Sequence, residues 1–107
     1  MAAWRRRALE LFPELKDDLH SRDYSTYQLF AAVRHMVWQA HDAGDDARLR
    51  AIYGFAAWCS EQRSDVLWNA AGVSFYEHLF DERKDRADWA KVAPWLSPQI
   101  VRSVWGL

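Results

Sequence analysis

The chain has 107 residues, of which 50% are hydrophobic and 27% are charged, with only four glycines and three prolines. These values exclude a disordered or fibrous protein and predict a single globular domain over residues 1–107, because a chain of this length can bury one hydrophobic core but not two. The formal net charge of −1 provides no overall positive field of the kind that attracts nucleic acid or an anionic membrane.

A proline separates the first two predicted helices. Apolar residues recur every three or four positions from Trp4 to Leu19, which is the spacing of one helical stripe. Pro13 interrupts this stripe, and proline is tolerated in the first turn of a helix but clashes in its interior. The pattern therefore predicts a helix over residues 2–12 and a short second helix over residues 13–20, with one kinked helix as the alternative.

Start and stop signals then define two longer helices. Ser25 and Gln28 have the spacing of a capping box, so a third helix should begin there. Its two apolar faces indicate a central position in the bundle. Gly44 is predicted to end this helix in a left-handed conformation, and Asp45 or Asp46 to cap the helix that follows, which should end near residues 62–63.

The second half of the chain adds two or three helices. Ser64 should begin a helix that contains Gly72, whose cost of about 1 kcal/mol relative to alanine we expect close packing against a neighbouring helix to offset. Residues 81–88 form a mixed-charge loop or helix end, and Ser97 followed by Pro98 predicts the start of a last helix. No strand pattern is present, so we predict an all-α bundle or stack of five to six short antiparallel helices arranged as hairpins.

Two segments resemble parts of a tetratricopeptide-type repeat. Ala40–Asp45, together with the apolar positions Ile52, Tyr53 and Ala56 that follow it, resembles the turn between the helices and the second helix of one unit. Asn69–Tyr76 resembles the first helix of a following unit. The resemblance implies a stack of helical hairpins rather than a regular repeat array.

Four motifs distributed along the whole chain are similar to those of a family of small bacterial proteins of unknown function. In order they read LFPEL at 11–15, IYGFA at 52–56, NAAGVSFYE at 69–77 and PWLSP at 94–98. This resemblance implies a bacterial, cytosolic and helical protein, and it brings no activity with it.

No residue pattern predicts catalysis or metal binding. His35 and His41 are six residues apart, whereas a helical metal site needs histidines four apart and a third ligand. Cys59 lies on an apolar stripe and is expected in the core. Ser74 and His78 are four apart, but neither a strained nucleophile turn nor an oxyanion loop accompanies them. We therefore predict no enzymatic activity, no catalytic residue, no metal and no cofactor.

The aromatic content favours a protein-interaction module. The chain has seven Trp, four Tyr and five Phe, and Trp, Tyr and Arg are the residues that most often anchor protein interfaces. Packing of these rings in the core is the alternative explanation. We predict binding to one specific protein or to a second copy of the chain, with an immunity or inhibitor protein as one form of this function. The candidate partner-binding residues are Arg34, Trp58, Asn69, Tyr76, His78 and Trp95.

Nucleic-acid binding through the N-terminal arginines Arg5–Arg7 is the second functional hypothesis, which the charge balance disfavours. An enzyme that uses Ser74, Glu77 and His78 ranks third. The single cysteine, Cys59, cannot form an internal disulfide, which indicates a reducing cytoplasmic setting. No segment has the length of a membrane span or of a signal-peptide core, so we expect no membrane association.

Overall fold

Every regular element of the protein is helical, which confirms the all-α prediction. The computed structural model describes residues 1–107 and contains no strand. Seven α-helices follow one another: α1 (Ala3–Leu11), α2 (Lys16–His20), α3 (Thr26–Ala43), α4 (Asp46–Ser60), α5 (Asp65–Ala70), α6 (Arg86–Val92) and α7 (Pro98–Trp105). Shorter helical turns extend them: a π-helical turn at Ala71–Phe75 and 3-10 turns at Pro13–Leu15, Tyr76–His78 and Ala93–Trp95. The helices number one more than the upper end of the prediction, since α6 is a separate helix.

The N-terminal corner is formed by a proline and an arginine. α1 ends at Leu11, and the chain passes through the 3-10 turn that begins at Pro13 before α2 starts, so the two-helix prediction is confirmed. The Arg5 guanidinium donates hydrogen bonds to four backbone carbonyls at and after the end of α2: those of Leu19, Ser21, Arg22 and Tyr24. Carbonyls at a helix C-terminus have no partner within the helix, so this side chain supplies one.

The predicted signals at both ends of α3 are present. Ser25 Oγ accepts the Gln28 backbone N–H at 3.2 Å, and the Gln28 side chain accepts the Ser25 backbone N–H at 2.8 Å. Gly44 ends the helix with φ of 65°, a left-handed conformation that glycine adopts without steric cost. The Asp45 carboxylate then accepts the Arg48 backbone N–H at 3.1 Å and begins α4. These local bonds fix the α3–α4 hairpin.

A continuous chain of aromatic rings forms the middle of the core. The ring of Phe55 in α4 lies 5.7 Å from that of Phe12 and 5.5 Å from that of Phe30, measured between centroids. Phe75 lies 5.9 Å from Phe30 and 6.0 Å from Tyr53. These separations fall within the favourable range for tilted and edge-to-face pairs. The rings therefore connect the end of α1, α3, α4 and the π-helical turn.

The last two helices are attached by a second aromatic cluster. Phe80, Trp89 and Trp105 lie in mutual contact, with centroid separations of 5.5, 5.9 and 5.4 Å. The Asp85 carboxylate caps α6, and the Ser97 hydroxyl caps α7 as predicted. α7 has no fully buried residue, and its backbone does not pack closely against another helix. It is held by side chains, which leaves space beside it.

Candidate functional site

The larger of the two main grooves lies between α7 and the edge formed by the end of α4, α5 and the π-helical turn. Its volume is about 760 Å³, within the range of roughly 300–1,000 Å³ that is usual for ligand sites. It is an open groove rather than an enclosed cavity. Its apolar lining consists of Ala57, Trp68, Val73, Tyr76, Ile100 and Val104. We refer to it as the α5–α7 groove.

Two large apolar side chains of this groove face solvent. Trp68 and Val73 are each 45% exposed, and Trp68 is the most exposed of the seven tryptophans. Val66, two residues before Trp68, is 57% exposed but does not line the groove. Large exposed apolar side chains that line one groove are typical of a binding surface. We did not select Trp68 from the sequence. Its position off the stripe of buried residues on α5 is the feature that could have indicated its exposure.

The wall that carries Val73 is the π-helical turn Ala71–Phe75. A π turn accommodates one residue more than an α-helical turn. At the end of this turn two neighbours in sequence, Phe75 and Tyr76, are both buried, with 0% and 2% exposure. Turns of this kind are rare and frequently occur at functional sites, so this turn favours the groove as the candidate site.

The expectation that Gly72 packs closely against a neighbouring helix is wrong. A Cβ atom added at Gly72 would meet no heavy atom within 4 Å, because the residue lines the groove. The close approach to neighbouring helices is made instead by Ala70 and Ala71, which are fully buried. The glycine therefore widens the groove.

Two of the sequence-predicted residues, Asn69 and Tyr76, line the α5–α7 groove. Burial raises the pKa of the Tyr76 hydroxyl, and the nearby Ser60 side chain lowers this pKa in part. The net pKa lies above the usual value of tyrosine, so the hydroxyl stays protonated at neutral pH. The amide of Asn69 and the hydroxyls of Ser60 and Tyr76 thus give the groove neutral polar groups.

The only charged residues that line the α5–α7 groove are Glu61 and Glu77, and both are exposed. Arg63 and Arg102 belong to neighbouring segments of the chain but do not line it. The remaining polar lining is neutral: Ser60, Gln62, Asn69, Ser97, Gln99 and Ser103. The groove therefore combines an apolar wall with two negative charges.

Arg34, another predicted residue, has a structural contact. Its guanidinium donates a hydrogen bond to the Ser74 carbonyl at 3.1 Å. Trp38, one turn further along α3, donates its indole N–H to the Leu79 carbonyl at 2.8 Å. The two side chains therefore satisfy backbone carbonyls of the π turn and of the segment after it, where helical partners are missing.

His78 lies in a second, smaller and more polar groove of about 290 Å³, which Arg34 also lines. The His78 imidazole contacts the Asp81 carboxylate at 2.7 Å. Arg83 forms a two-point ion pair with Asp42, with both N···O distances at 2.7 Å, and this pairing holds the pKa of Asp42 below its usual value. The charged side chains of this groove therefore largely pair with one another.

The two remaining predicted residues line neither groove. Trp58 stacks on Phe55 with a centroid separation of 6.3 Å, and the Arg7 guanidinium lies 4.4 Å from the Trp58 ring. Trp95 stacks on Tyr53 at 5.8 Å with an interplanar angle of 16°. The structure thus separates the six predicted residues into two in the α5–α7 groove, two in the smaller groove and two in packing positions.

The N-terminal arginines are partly engaged within the chain. Arg5 donates to backbone carbonyls and also lies 4.6 Å from the ring of Trp4. Arg7 covers Trp58, which leaves Arg6 as the exposed arginine without such a contact. These interactions reduce the basic surface that the nucleic-acid hypothesis requires.

The potentially reactive side chains are dispersed or buried. Cys59 is fully buried, and burial raises the pKa of its thiol to about 12, so it lies in the core as predicted. No three His, Cys, Asp or Glu side chains converge in a way that could bind a metal ion. None of the helices combines the length and the hydropathy needed to cross a bilayer.

Comparison with known proteins identifies the family. Residues 5–105 match the model of a domain of unknown function, DUF7674. The chain therefore belongs to this uncharacterised family, which agrees with the resemblance to a family of unknown function seen in its motifs. No curated protein and no solved structure matches the chain.

Proposed function

We propose that this protein is a small protein-interaction module that binds a specific protein partner through the α5–α7 groove. The observation that carries the proposal is the exposed Trp68 at the edge of a groove of about 760 Å³. Tryptophan is among the most frequent hot-spot residues of protein interfaces, particularly when a partner can remove it from water. An exposed indole beside a groove meets this requirement.

The construction of the groove supports the same function. Its two walls differ in burial, since α5 and the π turn are fixed by fully buried residues whereas α7 has none and is held by partly buried side chains such as Trp105. A fixed wall can present Trp68 and Val73 at low entropic cost, and the other wall can adjust to the partner. This combination suits the binding of a short segment of another protein.

Within this class we propose an immunity or inhibitor protein of the bacterial cytoplasm. Such a protein acts by occupying a surface of its target, and it needs a binding face rather than reactive side chains. The buried and unpaired thiol of Cys59 supports a reducing compartment. The product of an adjacent gene is the partner to test first.

The test is a pull-down from a native bacterial lysate with the tagged full chain, read by mass spectrometry. We expect one stoichiometric protein partner, and the Trp68→Ala variant should recover at least tenfold less of it, because loss of a hot-spot residue costs about 2 kcal/mol or more. Trp68 is 45% exposed, so this variant should retain the helical circular dichroism of the wild type.

Tyr27→Ala is the matched control, because Tyr27 is 40% exposed on α3 and lies outside the groove. It should recover the partner as the wild type does. Equal recovery by the Trp68→Ala variant would contradict a role of this groove. Recovery of nucleic acid that is lost on replacing the N-terminal arginines would favour the second hypothesis instead.

A further inference from the structure

The charges of the α5–α7 groove restrict what it can bind. Glu61 at the end of α4 and Glu77 after the π turn are its only charged lining residues. No arginine or lysine of the chain lines the groove to neutralise them. A cationic ligand group would compensate this negative charge, whereas an anionic group would add to it.

The apolar wall specifies the rest of the ligand. Trp68 and Val73 on one side face Ile100 and Val104 of α7 on the other, so apolar side chains of a partner would be removed from water between them. The ring of Trp68 can also receive a guanidinium or ammonium group on its face. An open groove of about 760 Å³ accommodates several consecutive side chains.

From these observations we propose that the α5–α7 groove recognises a partner segment in which an arginine or lysine is flanked by apolar residues. The basic group lies near Glu61 and Glu77, and the apolar neighbours contact Trp68 and Val73. This inference rests on the proposed function and adds the chemistry of the partner. The smaller groove provides no comparable site, since only two of its lining residues are hydrophobic and its Asp42 and Arg83 pair with each other.

The test uses two peptide probes that differ only in charge: acetyl-Leu-Arg-Leu-amide and the analogue with citrulline, the neutral isostere of arginine, in the central position. Binding is followed by NMR titration of the ¹⁵N-labelled full chain, with the Trp68 indole N–H signal assigned by its absence in the Trp68→Phe variant. We expect the arginine peptide to shift this signal and to bind about threefold to tenfold more tightly than the citrulline peptide, as two exposed ion pairs allow.

Charge variants locate the effect. In the Glu61→Gln, Glu77→Gln double variant the preference for arginine should fall below twofold, while weak binding of both peptides persists. The Glu10→Gln, Glu82→Gln variant removes two exposed carboxylates outside the groove, and it should keep the full preference. An increase in salt from 50 to 500 mM should reduce the preference, because exposed ion pairs are screened.

Equal affinity for the two peptides at the Trp68 signal would overturn the proposed charge recognition and leave the apolar groove as an interaction site. A preference that is equally lost in both double variants would also overturn it, since the effect would then follow net charge alone. Absence of any shift at Trp68 would show that the groove does not take such a segment. The lysate experiment reports on the proposed function separately.

Discussion

Replacement of Arg5 by alanine should lower the stability of the protein by about 2–3 kcal/mol. The Arg5 guanidinium donates to four carbonyls, and its bonds to Leu19 and Tyr24 are partly buried, whereas its bonds to Ser21 and Arg22 are exposed. Hydrogen bonds from a charged donor contribute about 1.5–3 kcal/mol when buried. With partial exposure we take about 1–1.5 kcal/mol for each of the two partly buried bonds and nothing for the exposed ones.

The assay is urea unfolding followed by circular dichroism, with a thermal melt as the second measurement. A loss of 2–3 kcal/mol corresponds to a fall in Tm of about 8–12 °C for a domain of this size. Arg5→Lys should recover less than half of the loss, since an ammonium group cannot reach several acceptors with a planar fork. The m-value should stay constant, because the surface exposed on unfolding does not change.

Arg6→Ala is the control for the loss of a neighbouring positive charge. Arg6 is exposed on the same helix, and its replacement should change the free energy of unfolding by less than about 0.5 kcal/mol. If Arg5→Ala and Arg6→Ala cost the same, the guanidinium does not stabilise the turn after α2. The arginines would then be free to act at the surface, as the nucleic-acid hypothesis requires.

Four further substitutions test other parts of the structure. Gly44→Ala should destabilise the protein by about 1–2 kcal/mol, since φ is 65° at this position. Gly54→Ala should stabilise the protein by about 0.5–1 kcal/mol, because Gly54 lies inside α4 and an added Cβ meets no atom within 4 Å. Thermal melts measure both effects. Burial, together with the charges of nearby cationic groups, lowers the pKa of His41 from 6.5. The unfolded chain therefore binds more protons than the folded protein below about pH 6.5, so the free energy of unfolding should fall between pH 7 and 5 in urea titrations. His41→Gln should reduce this fall. Phe55→Ala should cost about 3–5 kcal/mol, which a large drop in Tm would report.

Each of these predictions has a result that would contradict it. Equal effects of alanine at the two glycines would mean that the left-handed conformation at residue 44 carries no cost. An unchanged pH dependence in His41→Gln would assign the acid sensitivity to other groups, with His35→Gln as the exposed control. A loss below about 1 kcal/mol for Phe55→Ala would be inconsistent with its position between Phe12 and Phe30.

The helix boundaries could be predicted because their causes are local. The capping box of Ser25 and Gln28, the left-handed Gly44 and the cap at Ser97 each involve residues within a few positions of one another. Their hydrogen bonds form in any context that allows a helix there. The π-helical turn at Ala71–Phe75 was not predicted, because no start or stop signal in the sequence specifies it.

The candidate site could be predicted only in part. Asn69 and Tyr76 were recognised as polar groups on an apolar helix, and both line the α5–α7 groove. Trp58 and Trp95 have the same residue type as Trp68, but their rings lie against other rings of the protein, whereas that of Trp68 faces solvent. Composition indicates how many tryptophans exist and cannot distinguish the one that a groove leaves exposed.

The sequence by itself determined the all-α class, most helix boundaries and the burial of Cys59, since helical periodicity and capping depend on neighbouring residues. The tertiary structure alone decided where α7 lies relative to α5, and hence that a groove exists between them. It also brought Glu61 and Glu77 to the same groove, although 16 positions separate them in the chain. Such distant placements arise from the packing of aromatic side chains such as Trp105 on Phe80, an interaction that no local pattern specifies.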